Sequence, residues 1–217
     1  MRNPLTFLSA LLLLAAPACG DNAGDDDGST GQATSSPTNE PTTEPTTEPT
    51  GGEALSCATY CTNITTNCKM DTSDAQYFIG TDNGMTSCMT ACEGFPVGTS
   101  ADMAGNTLGC RTYHAGAAEG DPATHCPHAG PGGAAMCGMN CEGFCSVAVK
   151  VCGSTYADET ACMTECSGFM DTVRYDISQA SGDTLACRLY HLTAAAVDPT
   201  THCPHIVAAS ATCAATP

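Results

Sequence analysis

Tryptophan is absent from this chain, and phenylalanine (5) and tyrosine (6) are scarce among its 217 residues. A polypeptide so poor in large apolar side chains builds only a marginal core without covalent help. Lysine and arginine total 6 against 23 aspartates and glutamates, for a formal charge of −17. Phosphate backbones repel such a surface, so no nucleic acid is expected as a partner. Beyond an apolar leader no run has spanning character, and no transmembrane helix is expected in the rest of the chain. Catalytic signatures are missing too: there is no G-x-S-x-G, no H-E-x-x-H, no glycine-rich phosphate loop, no C-x-x-C and no C-x-x-C-H. The chain is therefore read as non-enzymatic, with no catalytic residue.

What the chain has in excess is cysteine, 17 in all. Cys19 stands alone. The rest form two series of eight: Cys57, Cys61, Cys68, Cys88, Cys92, Cys110, Cys126 and Cys137, then Cys141, Cys145, Cys152, Cys162, Cys166, Cys187, Cys203 and Cys213. The gaps run 4, 7, 20, 4, 18, 16, 11 and then 4, 7, 10, 4, 21, 16, 10. This is one module written twice, over residues 57–138 and 141–213. An even set of cysteines in small exported modules reads as a disulfide scaffold, four bridges per module.

Residues 1–18 combine Arg2, an apolar stretch and small residues before Cys19, the pattern of a secretory signal. Leu14-Ala15-Ala16-Pro17-Ala18-Cys19 resembles the lipobox of bacterial lipoproteins, which implies lipidation of Cys19 and a membrane partner held through that lipid; ordinary cleavage before Cys19 is the alternative. Residues 19–56 follow as an acidic stalk containing Asn39-Glu40-Pro41-Thr42, Thr43-Glu44-Pro45-Thr46 and Thr47-Glu48-Pro49-Thr50. Such a segment buries no core and is expected to stay solvated, reaching roughly 100 Å at ~3.1 Å per residue. Lipobox and stalk together resemble uncharacterised Cys-rich lipoproteins of large-genome bacteria. That resemblance implies a bacterial cell-envelope location, at the outer membrane or cell surface.

Within each module, Cys57, Tyr60, Cys61, Ile64 and Cys68, and Cys141, Phe144, Cys145, Ala148 and Cys152, share a spacing that places them on one helix face. A second short helix carries Cys88-x3-Cys92 or Cys162-x3-Cys166, closed by Gly94 or Gly168. Paired C-x3-C helices resemble helical-hairpin scaffolds clasped by two rungs. Antiparallel packing then joins Cys57 to Cys92, Cys61 to Cys88, Cys141 to Cys166 and Cys145 to Cys162, since an i, i+4 pair cannot bridge within one helix. A third helix follows, with Leu185, Leu189, Leu192 and Ala196 as its apolar stripe in the second copy. Ser56, Asn140, Asn106 and Asp183 are the N-cap candidates, and Asp121-Pro122 and Asp198-Pro199 open a last short turn ending at Pro127 and Pro204. The expected fold is mainly α, small and disulfide-rich: two tandem helical-hairpin-like modules, each with a third helix and a Cys/His turn.

All 6 histidines lie in the repeat: His114, His125 and His128, and again, 77 positions on, His191, His202 and His205. Both copies read His-x10-His-Cys-Pro-His, together with Arg111/Arg188 and Tyr113/Tyr190. Two readings compete. As ligands, three imidazoles suit copper or zinc, with a reduced Cys126 or Cys203 as a fourth donor. As structural groups, they hydrogen-bond the turn and no cofactor is needed. The composition favours a non-enzymatic surface binding or structural protein, with an envelope protein or glycan as ligand; the metal-binding protein is the alternative.

Overall fold

The computed structural model describes residues 55–69 and 76–214, which belong to one compact unit spanning residues 48–217. The leader, Cys19 and all of the stalk except Leu55 and Ser56 lie outside the described residues. Among the described residues there is no strand. The helices are α1 (Cys57–Asn67), α2 (Met85–Cys92), α3 (Leu108–Ala117) and α4 (Pro122–Ala129), then α5 (Asn140–Val151), α6 (Glu159–Cys166), α7 (Leu185–Ala195) and α8 (Pro199–His202), the last running into a 3-10 turn over Cys203–His205. The protein is a small, mainly helical, disulfide-rich fold built from two copies of one four-helix plan.

Each copy opens with a clasped hairpin. The rungs are Cys57–Cys92 and Cys61–Cys88 between α1 and α2, and Cys141–Cys166 and Cys145–Cys162 between α5 and α6. The other bridges serve the histidine-bearing half. Cys68–Cys126 and Cys152–Cys203 tie the end of the first helix to the last short one, while Cys110–Cys137 and Cys187–Cys213 tie the third helix to the chain that leaves the copy. None of these eight bridges joins one copy to the other. The even count of thiols is thus consumed, and Cys126 and Cys203 are not free donors.

Local signals explain most of the helix boundaries. Ser56 caps α1 by accepting from the Thr59 amide at 3.1 Å. Asp121 and Asp198, each followed by proline at the first helical position, accept from Thr124 N and Thr201 N. At the third helix the cap falls one residue later than expected. Thr107 and Thr184 accept from Cys110 N and Cys187 N, both at 3.1 Å, because Asn106 instead donates to Ser146 Oγ and Asp183 pairs with Arg188. Asn140 is likewise inside α5 rather than capping it. Its amide accepts from Ala134 N and donates to Asp171, and the exposed Met139 takes the cap position, its N–H donating to Glu142. Pro127 does not end α4, which runs on to Ala129; the proline removes one backbone bond, and Gly130 N still closes on Cys126 O at 3.0 Å. In the second copy the α-helix does stop early, at His202, and tightens into the 3-10 turn.

The two copies share one continuous core, in which Tyr60, Phe78, Phe144, Leu185, Leu189, Leu192 and Ile206 are almost wholly buried. Backbones come close where they cross. A Cβ on Gly94 would meet the Ser146 carbonyl at 2.7 Å, and one on Gly143 would collide with the Pro131 carbonyl. Further bonds cross from one copy to the other, including Ser87 Oγ to Thr193 O (2.6 Å), Tyr175 OH to Tyr77 O (3.1 Å) and Ile177 N to Gln76 O (2.9 Å).

Candidate functional site

The third helix and the last turn of each copy bring its three histidines together. His114 projects from α3 and His125 and His128 from α4; His191 projects from α7, His202 from α8 and His205 from the 3-10 turn. In each triad one ring nitrogen per residue lies within 4.8 Å of the other two. His114 and His191 are buried, and the four others are half-buried.

The nitrogens that meet are Nδ1. His114 Nδ1 lies 2.8 Å from His125 Nδ1; His191 Nδ1 lies 3.0 Å from His202 Nδ1 and 3.2 Å from His205 Nδ1. The opposite nitrogen of each helix histidine faces a backbone carbonyl, Met103 O at 3.2 Å and Ala180 O at 3.3 Å. A carbonyl only accepts, so Nε2 must carry the hydrogen. In the neutral ring that leaves Nδ1 as a bare lone pair aimed into the triad. An imidazole fixed by an outer N–H···O=C bond is how metal-binding histidines are held and oriented. His128 supplies a further sign: its Nδ1 is buried and has no hydrogen-bond partner.

The electrostatics disfavour a charge on His114, His128, His191 and His202. Burial lowers the pKa of His114, and burial with His205 nearby brings His191 down to about 4. His128 and His202 are lowered too, first by burial and then by neighbouring histidines. Thiolate donors are excluded. The sulfurs closest to His114 and His191 belong to Cys110–Cys137 and Cys187–Cys213, both bridged. A tetrahedral ion with ~2.0–2.1 Å bonds to nitrogen sets its donors about 3.4 Å apart, close to the spacing found.

A buried arginine stands three residues before each helix histidine, with contacts that the bare pattern did not reveal. Arg111, fully buried, lies 3.9 Å above the Phe95 ring and donates to the carbonyls of Thr107, Gly130 and Pro131. Arg188 lies 4.0 Å above Phe169 and donates to Thr184 O, Cys213 O and Asp183. Tyr113 and Tyr190 set ring edges against His114 and His191, with centroids 5.1 and 5.0 Å apart.

A known family has this sequence plan. The family model for the BfoA family C-terminal domain matches residues 30–140 and again 139–214. The chain belongs to the BfoA C-terminal domain family. It is also 43% identical over 53 residues to the bifonsecin B biosynthesis cluster protein A of Aspergillus brasiliensis, an alignment covering 22% of this chain and 18% of that protein. The match thus spans less than a fifth of the relative's length. No solved structure matches the chain. These findings correct the resemblance to bacterial Cys-rich lipoproteins: the repeat matches the BfoA C-terminal domain family, part of the chain is similar to a fungal protein, and a bacterial origin has no support.

Proposed function

We propose that this BfoA-family chain is an exported metal-binding protein that holds one copper or zinc ion in each repeat through His114, His125 and His128 and through His191, His202 and His205. The observation that carries this reading is the doubled convergence of Nδ1 atoms, each built on a helix histidine whose Nε2 is committed to a backbone carbonyl. Purely structural histidines would end with their polar atoms satisfied, whereas His128 Nδ1 is buried without a partner. Three imidazole nitrogens with no free thiolate suit copper or zinc better than magnesium or calcium. In the ion-free protein a proton shared between Nδ1 atoms takes the ion's place. Export follows from disulfide density, since these bridges persist in oxidising compartments. Nothing in the reading needs a catalytic step.

Native mass spectrometry and isothermal titration with Cu(II) and Zn(II) test it. The expected result is two ions per chain, one after His191→Ala and none after His114→Ala/His191→Ala, with circular dichroism unchanged. Protons compete with the ion for the ring nitrogens, so affinity should fall as pH drops, while the His191 ring, with its pKa lowered to about 4, stays available below pH 6.5, the ordinary histidine value. A wild-type chain that binds no ion at neutral pH, while the same variants lose stability, would establish the structural role instead.

A further inference from the structure

The two copies differ most in two segments. The first has an insertion between α1 and α2 around residues 70–82, of which Tyr77 and Phe78 pack inward. The second has a longer connection from Phe169 to α7 than the first has from Phe95 to α3, and it carries Arg174 and Tyr175. These unrelated segments meet. Ile177 N donates to Gln76 O, Tyr175 OH donates to Tyr77 O, Arg174 Nη2 donates to Tyr77 OH at 3.0 Å, and the two tyrosine rings cross edge to face at 6.1 Å.

Between them and the loop after α4 lies a cavity of about 320 Å3, within the size range of small-molecule sites. Pro127, Ala134, Met139 and Val173 give it apolar walls, and Tyr77, Arg174, Asn140 and Asp171 are among its polar groups. Their states differ. Asp171 accepts two bonds from the Asn140 amide, at 2.9 and 3.1 Å. Arg174 makes the one bond to the Tyr77 hydroxyl, which fixes the guanidinium and leaves further N–H donors for a guest. The other arginines of the compact unit, Arg111 and Arg188, are buried on carbonyls, and Lys150 is paired with Glu93 at 3.1 Å.

We infer that this cavity binds an organic monocarboxylate, its charged end on Arg174 and its apolar body against Pro127, Ala134 and Val173. A planar guanidinium matches a carboxylate's two oxygens. One cation with an aspartate on the same wall disfavours dianions such as phosphate. The walls select for an apolar body of modest size.

Isothermal titration and saturation-transfer NMR on metal-free full chain test the inference with 2-naphthoate, octanoate and the uncharged 2-naphthamide. The expected result is saturable binding of a carboxylate, at least about tenfold tighter than that of the amide. Arg174→Gln, which removes the charge, should erase that preference, and Thr172→Trp at the rim should weaken both guests. Unchanged thermal midpoints in both variants show that the fold is kept. The inference is overturned if neither carboxylate saturates, if the amide binds as tightly, or if Arg174→Gln keeps its preference for the charged guest. Because the metal-free protein is used, failure of the histidine reading leaves this result untouched.

Discussion

The two copies reach the same site by partly different means. Both bury an arginine on a phenylalanine, both bridge the last short helix to the first, and both bring one ring nitrogen from each of three histidines together. Yet α4 is a full helix in the first copy, whereas in the second the corresponding stretch is a single α-turn followed by a 3-10 turn. The carbonyl that ends this stretch is satisfied from different places. Tyr60, on α1, donates to Ala129 O at 2.7 Å; phenylalanine occupies that position in the second copy, and Tyr156, from the loop before α6, donates to Ile206 O at 3.1 Å. What is held constant is the placement of the histidines, and the supports are exchangeable.

The largest break in the comparison should come from the bridge under each triad. Cys68–Cys126 closes 58 residues and Cys152–Cys203 closes 51, so the chain-entropy account gives each about 4 kcal/mol, nearly equal despite the different helices they hold. Cys68→Ala/Cys126→Ala and Cys152→Ala/Cys203→Ala should lower denaturant stability by similar amounts. Each pair should weaken metal binding in its own copy alone. Loss of both sites from either double variant would mean that the copies unfold together.

Much of this architecture could be read before any coordinate. The i, i+4 cysteines faced one way, so an antiparallel partner left one sensible pairing, and Cys57–Cys92 and Cys61–Cys88 follow it. Other features were closed to such reading because they depend on approach in space. Nothing local pairs Cys68 with Cys126, which awaits the folding of α4 back onto α1. Local signals were degenerate at the third helix, where Asn106 and Thr107 are both competent caps and the choice fell to Thr107 once Ser146 engaged Asn106. The histidine spacing grouped residues that do meet in space but could not say which nitrogen faced inward, since that is set by the carbonyls of Met103 and Ala180. The meeting of the two insertions left no mark in either one.

A smaller effect should separate the arginines. Arg111 is wholly buried, which lowers its pKa to about 10, and it spends its hydrogen bonds on backbone carbonyls. Arg111→Met would strand the carbonyl of Pro131 and take one of two donors from that of Gly130, at a cost of about 3 kcal/mol. Arg188 shares its charge with Asp183, whose side chain is 54% exposed and can return to water. Arg188→Met should therefore cost less, about 2 kcal/mol by the same reasoning. Urea titrations of the two variants decide it, and an equal or reversed order would show that the exposed aspartate contributes nothing to the difference.

The finest test concerns the tyrosines that support the carbonyl. Tyr60→Phe and Tyr156→Phe each remove one hydroxyl and leave the ring in place, so the loss should be close to that of one buried hydrogen bond, about 1 kcal/mol. Tyr60 is wholly buried, and without its hydroxyl the Ala129 carbonyl has no replacement donor among its described partners. Tyr156 makes the longer bond and also lies 3.4 Å from Glu165, so part of its hydroxyl's contribution belongs to another residue. Tyr60→Phe should thus be the costlier of the two for histidine placement, and ion binding in the first copy should fall more than binding in the second falls in Tyr156→Phe. Restoring the first copy's solution in the second, with Phe144→Tyr in a Tyr156→Phe background, then asks whether the supports are interchangeable. Recovery of second-site affinity in that double variant is the expected outcome, whereas affinity left at the Tyr156→Phe level would mean that the loop tyrosine positions more than the one carbonyl it reaches.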